Sequence, residues 1–199
     1  GVAVPVGQLD SYQLMALARV AAMYGNNTVR LTVWQNVLLP GIQIEDLEKA
    51  KAALLEVGLD WKQSNLKSGV IACTGNRYCP YAKSDTKGHA LEISKFLEEH
   101  LETDQSVNIH FTGCAFSCAQ HYVGDIGLLA AGRKAGEEEA YHVFRGGGFG
   151  TKRSIGKKVS DAPVAAPQLK PYLLAILQEW LEKRNPGESF QDYSQRIQY

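Results

Sequence analysis

The chain has 199 residues, with 21 Lys and Arg balanced by 21 Asp and Glu, and 45% of its residues are hydrophobic. That is enough chain to bury a core without staples, and zero formal charge gives no electrostatic case for nucleic acid. No apolar run approaches a membrane span, the longest, Tyr172-Leu-Leu-Ala-Ile-Leu177, being broken by Gln178 and Glu179; residues 1–7 lack the basic and then apolar pattern of a signal peptide, and the chain starts at Gly1 rather than Met.

In chain order, residues 2–6 read as a short extended segment closed by Gly7. Asp10 or Ser11 can cap a helix to about Tyr24, with Leu14, Leu17, Ala18, Ala21 and Ala22 as its apolar face, and Gly25-Asn-Asn27 ends it. Residues 29–39 alternate as one strand. Val29, Leu31, Val33, Val37 and Leu39 fall on one side, and Arg30, Thr32, Trp34 and Asn36 on the other. After Pro40-Gly41, residues 45–57 carry a second helix with Gly58 as its C′ residue. This β-α-β-α order is half of a split βαβ ferredoxin-like pattern, or one unit of a repeated one. A polar stretch at residues 60–68 separates it from the rest of the chain, giving domains at 1–66 and 67–199.

In the second domain, residues 70–72 lead into the first cysteine, and residues 86–102 form a helix through Leu91, Ile93, Phe96, Leu97 and Leu101. Strands are expected at 107–112, 125–130 and 140–144. A helix runs over 169–183 behind Pro167, and Asn185-Pro-Gly187 precedes a short amphipathic tail. The fold class is therefore α+β, with a mixed sheet in the second domain.

The four cysteines of the chain fall in two pairs, Cys73-Thr-Gly-Asn-Arg-Tyr-Cys79 and Cys114-Ala-Phe-Ser-Cys118, with 34 residues between them. Both pairs follow the end of an expected strand, where ligand sites collect in α/β domains. The second pair has i, i+4 spacing, which on a helix would put both thiols on one face. The five-residue gap of the first pair is wider than a zinc knuckle uses. Four thiolates in two clusters suit a [4Fe–4S] cluster; two disulfides or a structural zinc are the alternative uses.

These motifs carry a resemblance. The first pair, then Ile109-His-Phe-Thr-Gly-Cys-Ala-Phe-Ser-Cys-Ala-Gln120 and Asp125-Ile-Gly-Leu128, resemble the C-terminal half of the sirohaem-containing nitrite and sulfite reductases. Val4-Pro-Val-Gly7 and Arg30-Leu-Thr-Val-Trp-Gln-Asn36 resemble the ferredoxin-like unit that precedes the cluster domain there, and Arg145-Gly-Gly-Gly-Phe-Gly150 also fits. The resemblance implies a ferredoxin-like half-unit followed by a mixed-sheet sirohaem/[4Fe–4S] reductase domain. Cys73, Cys79, Cys114 and Cys118 would hold the cluster, and Cys118 would bridge to sirohaem iron. Arg30, Thr32, Gln35 and Asn36 would meet sirohaem carboxylates.

The implied activity is six-electron reduction of nitrite to ammonia with electrons from ferredoxin, in the cytoplasm or a plastid stroma. Sulfite reduction by the same family, or an electron-transfer iron–sulfur module without haem, is the alternative. The Thr74-Gly-Asn76 insert resembles the nitrite branch. Ala115-Phe116 departs from the Pro-Asn usual after the third cysteine, and the Gly113-Cys-Ala115 start is shared with a related precorrin-modifying branch. The resemblance further implies that this is a second half, whose substrate-binding Arg and Lys lie in an N-terminal half or partner chain.

Other residues are read singly. His110 could relay protons or serve as a structural histidine, and His121 is a similar case. His89, His100 and His142 read as surface or packing residues. Gly146-Gly-Gly148 lacks the Gly-Lys-Ser/Thr ending of a phosphate loop and reads as a tight turn. Arg133-Lys134, Lys152-Arg153 and Lys157-Lys158 could make a basic edge for an acidic ferredoxin or for the sirohaem carboxylates, or simply be solvated. Trp34, Trp61 and Trp180 read as packing residues.

Overall fold

A computed structural model describes residues 1–62, 64–132 and 137–197. The chain forms two compact units, Gly1–Ser64 and Asn65–Tyr199.

In the first unit, helix α1 spans Ser11–Tyr24 behind a capping box: the Asp10 carboxylate accepts from Gln13 N, and the Gln13 amide group reaches back to Asp10 N. Its buried face is Ala16, Leu17, Val20 and Ala21. Leu17 and Ala21 match the sequence reading, whereas Leu14, Ala18 and Ala22 are exposed. The stripe is rotated to bring Val20 into the same buried cluster as Val37 and Leu54, and a shift toward Leu14 would remove it.

The single strand expected at 29–39 is instead a hairpin. Strands β1 (Arg30–Leu31) and β2 (Val37–Leu38) pair antiparallel, with Arg30 opposite Leu38. The turn is made by side chains imitating backbone. Thr32 Oγ1 accepts from Asn36 N at 3.0 Å, and Asn36 Nδ2 donates to Trp34 O at 3.1 Å. Leu31 and Val33 accordingly face solvent while Val37 is buried. Val2 bridges Val37 and Ala3 bridges Asp60, so the N-terminal segment ties both ends of the unit. Helix α2 (Leu47–Leu55) buries Ala50 and Leu54, and Gly58 at φ +71° closes it as expected.

The second unit is a mixed sheet. Strands β3 (Val70–Ala72), β4 (Ile109–Thr112) and β5 (Ile126–Ala130) run parallel. Strand β6 (Ala140–Arg145) joins β5 antiparallel, and β7 (Lys157–Lys158) and β8 (Val164–Ala165) pair with β6. The register puts Ala72, Phe111 and Leu128 in one row, with Val143 beside them. Helices α3 (Thr86–His100) and α4 (Leu169–Lys183) bury Ala90, Ile93, Leu97, Leu173, Leu177 and Trp180, and α5 (Phe190–Arg196) adds Phe190 and Tyr193. On β5, Gly127 lies where any Cβ would strike the His121 carbonyl, so only glycine lets the His121 turn sit there. No helix among the described residues is long and apolar enough to cross a membrane.

Strands β4 and β5 are tied at their entry by Asp125, whose Oδ2 accepts from Asn108 N at 2.8 Å and Asn108 Nδ2 at 2.9 Å. Burial pushes this carboxyl up from 3.8 to about 6, although the Asn108 hydrogen bonds pull it down. Because the folded value is the higher one, the folded state holds its proton longer than the unfolded chain does. The contribution is therefore full below about pH 4 and is lost as pH rises through 6. Asp125→Asn keeps an acceptor for Asn108 and should remove this decline, raising stability at pH 7 by roughly 1–3 kcal/mol relative to wild type. Urea unfolding of both proteins at pH 4, 5.5 and 7 measures it.

Candidate metal centre

Both cysteine pairs leave the C-terminal ends of neighbouring parallel strands. Cys73 follows β3 directly, and its N–H donates to Phe111 O on β4 at 3.0 Å. Two residues after β4 comes Cys114. All four thiols are free; Cys73, Cys79 and Cys114 are partly buried and Cys118 is exposed. Among the described residues no three His, Cys, Asp or Glu side chains converge on a single ion. A cube of iron and sulfide would spread its four thiolates over a larger body than an ion does.

The first loop is shaped by Gly75 at φ +74°, where a Cβ would press on Thr86 Oγ1 at 2.9 Å. Cys79 N donates to Gly75 O, and Asn76 N donates to Ser84 O. The second loop differs from the helical reading of its spacing. Residues 114–120 form two successive tight turns, with Ser117 N donating to Cys114 O and Gln120 N to Ser117 O, and Ser117 and Gln120 both at φ +54°. A left-handed residue at Ser117, between the two cysteines, breaks the helix that i, i+4 spacing suggested, and Gln120 repeats the break just beyond them.

The loops are laid against one another at Gly113. Its N–H points at Cys73 Sγ at 3.1 Å, and its carbonyl accepts from Lys83 N at 2.8 Å. A Cβ at Gly113 would meet Ala82 Cβ at 2.8 Å and Cys73 Sγ at 3.4 Å. Farther out, the Tyr81 and Phe116 rings meet edge to face, 5.3 Å between centroids and 86° apart. Around Cys73, Thr86 Oγ1 lies 3.5 Å from the sulfur and donates to Cys73 O at 2.8 Å. Lys87 Nζ donates to Ala72 O; burial lowers its pKa, while the nearby Cys73 sulfur works to raise it.

Several of these groups were invisible in the sequence. Glu139, one of three consecutive acids, reads as solvated charge. In the fold its carboxylate accepts from Asn76 Nδ2 at 3.0 Å and Asp85 N at 2.8 Å, pinning the first cysteine loop and the α3 cap together. Arg77 also reaches Asp85, at 3.3 Å. Gly113 and Thr86 carried no signal beyond their neighbourhood to a cysteine.

Of the histidines, His110 is buried in β4. Its Nδ1 bonds Gln120 O at 3.0 Å, and burial lowers its pKa, so it is neutral near pH 7. His121 Nδ1 pairs with Ser117 Oγ at 2.7 Å and packs against Phe144. His89 bonds the Tyr141 hydroxyl, His100 bonds Phe96 O, and His142 is partly buried on β6. Arg30, in the first unit, is exposed on β1; Thr32, Gln35 and Asn36 form its hairpin turn, with Gln35 at φ +59° and Asn36 Oδ1 accepting from Val4 N at 2.9 Å. The shared strand face expected for them does not exist, because the chain reverses there.

The glycine run behaves as a turn. Gly146 and Gly150 have positive φ, and a Cβ on Gly147 would strike the Gly124 carbonyl. Of the basic residues, Lys152 pairs with Asp192 and Lys158 with Asp161. Lys152, Arg153 and Lys157 line one cleft with Arg145, and Arg133-Lys134 lie outside the described residues. Trp180 is fully buried, Trp34 is half-buried, and half-buried Trp61 carries Lys51 over its ring.

A parallel-strand end presenting two cysteine loops is an arrangement that an iron–sulfur domain can use. The family comparisons agree: residues 1–57 match the nitrite/sulfite reductase ferredoxin-like half domain, and residues 64–199 match the nitrite and sulphite reductase 4Fe-4S domain. The chain belongs to the nitrite and sulfite reductase family. It is 40% identical to a ferredoxin–nitrite reductase of Synechococcus elongatus, over 90% of this chain and 35% of that protein. It is 36% identical to a chloroplastic ferredoxin–nitrite reductase of Zea mays, over 90% of this chain and 32% of that one. A ferredoxin sulfite reductase of Mycolicibacterium paratuberculosis matches at 27%, over 98% of this chain and 37% of that protein. The solved structure of the Mycobacterium tuberculosis NirA protein superposes with TM-score 0.90 at 25% identity, over 99% of this chain and 38% of that one. The chain thus spans about a third of the length of the curated relatives it matches.

Gly113→Ala should push the loops apart through the Ala82 and Cys73 contacts. The expected cost is about 1–3 kcal/mol, read by denaturant unfolding, together with faster alkylation of Cys73.

Proposed function

We propose that this chain is the cluster-bearing half of a ferredoxin-dependent nitrite reductase, with Cys73, Cys79, Cys114 and Cys118 as ligands of one [4Fe–4S] cluster. The observation that carries this is the Gly113 N–H to Cys73 Sγ contact, because it sets the two cysteine loops side by side on one sheet end. The residues present fit such a group: four free thiols, a glycine cradle that a methyl would fill, and a backbone donor already aimed at one sulfur. When bound, the cluster would store single electrons and pass them to sirohaem through Cys118, for reduction of nitrite to ammonia.

The chain's own residues would hold and tune. The Gly113 N–H would stabilise the more negative, reduced state by hydrogen bonding to Cys73. Thr86 would fix the Cys73 backbone, and Glu139 would keep the first loop against α3. Of the two readings of His110, the structural one has support: a neutral ring holding Gln120 O steadies the turn that carries Cys118. The same proposal carries Arg30, Thr32, Gln35 and Asn36 as contacts for sirohaem carboxylates, and an acidic ferredoxin as donor, in the cytoplasm or a plastid stroma. Sulfite as substrate is the second reading, favoured by the mycobacterial sulfite reductase match over 98% of the chain.

Anaerobic iron and acid-labile sulfide analysis with a visible spectrum tests the reading. About four of each per chain are expected, falling sharply in each of the four Cys→Ser variants; zinc without iron would overturn it. Soret and red bands would mark sirohaem, and in the longer enzyme Cys118→Ser should uncouple the two centres.

A further inference from the structure

We propose that Tyr81 and Phe116 form an aromatic clip that sets the spacing between the two cysteine loops, making them a positioning pair for the four thiolates. This rests on the cluster reading above. Tyr81 stands two residues after Cys79, and Phe116 midway between Cys114 and Cys118.

Backbone contacts join the near ends of these loops. Cys73 N bonds Phe111 O, Lys83 N bonds Gly113 O, and Gly113 N bonds Cys73 Sγ. The stretch from Cys114 to Cys118 then leaves the sheet through a tight turn with Ser117 in the left-handed region, held internally by Ser117 N to Cys114 O. The edge-to-face ring pair adds a link farther out, next to Cys79 on one side and between Cys114 and Cys118 on the other. Neither ring is explained by core packing, since Tyr81 is 61% and Phe116 73% exposed. Two large aromatics left in water on facing loops are worth most against each other, and edge-to-face geometry is the arrangement that ring quadrupoles favour. With the clip closed, the Cys79 and Cys114–Cys118 loops hold one separation before any group enters, which lowers the cost of gathering the thiolates around it.

The test is a double-mutant cycle on the full chain. Wild type, Tyr81→Ala, Phe116→Ala, the double variant and Phe116→Tyr are kept reduced, anaerobic and free of iron, and alkylation of each cysteine by iodoacetamide is followed by peptide mass spectrometry. Each alanine variant should speed alkylation of Cys114 and Cys118 roughly two- to fivefold, the opening that loss of one exposed aromatic pair implies. The double variant should react no faster than either single one. Phe116→Tyr should behave as wild type, and Cys73, held by Gly113 and Thr86, should not change. Unchanged rates in Tyr81→Ala, or effects that multiply in the double variant, would overturn the clip. Anaerobic reconstitution with ferrous iron and sulfide then separates the two proposals. Wild type that takes up no iron removes the cluster reading and leaves the rate cycle to decide the clip; wild type that holds iron without coupling between the rings removes the clip alone.

Discussion

The parallel register of β3 and β4 is the constraint on which the site depends. With Ala72 beside Phe111, the next residues of both strands emerge together, and Cys73 hydrogen-bonds back to β4 before the chain turns away. Parallel strands need a crossover between them, here supplied by the first cysteine loop and α3. The element that makes the register possible therefore also carries two of the thiols. A slip of one residue would turn Phe111 out of the row it shares with Leu128 and Val143, exchanging its apolar face for the His110 and Thr112 face of a strand buried on both sides. The sheet core and the cysteine geometry are thus specified by one set of contacts.

Glycine does much of the rest, in three different ways. Gly75 turns the first loop with positive φ, Gly113 admits a close approach of two loops, and Gly127 leaves room for a carbonyl crossing above a strand. Each permits backbone to come nearer than a side chain would allow. The second face of the sheet follows the same economy. His110 and His121 are held by bonds to the turns around Cys118, so a short irregular segment is braced by rings from β4 and from the turn itself. Irregular chain of this kind is stable when its polar groups are satisfied locally.

The sequence was legible where one signal acted alone. Asp10 or Ser11 marks the start of α1, Gly58 the end of α2, and Pro167 the approach to α4, and each lies where the pattern put it. The strands from β3 to β6 were readable as short apolar runs between turn residues. Legibility failed where side chains stood in for backbone. Val29, Leu31 and Val33 alternate like a strand, yet Thr32 and Asn36 close a turn that a period-two pattern cannot reveal. The i, i+4 spacing of Cys114 and Cys118 was equally ambiguous, because nothing in Ser117 or Gln120 announces a left-handed residue. The cysteines themselves were conspicuous; Gly113, Thr86 and Glu139 were not, since their partners lie 40, 13 and up to 63 positions away along the chain.

Glu139 has a mechanical implication. It belongs to the approach to β6, on the far side of the sheet order from β3, yet its carboxylate grips both Asn76 and Asp85, the cap of α3. A carboxylate with two short bonds works as a tie-rod. Any tug on the segment entering β6 would be felt at the Cys73–Cys79 loop across the length of one side chain, without passing through the strands between.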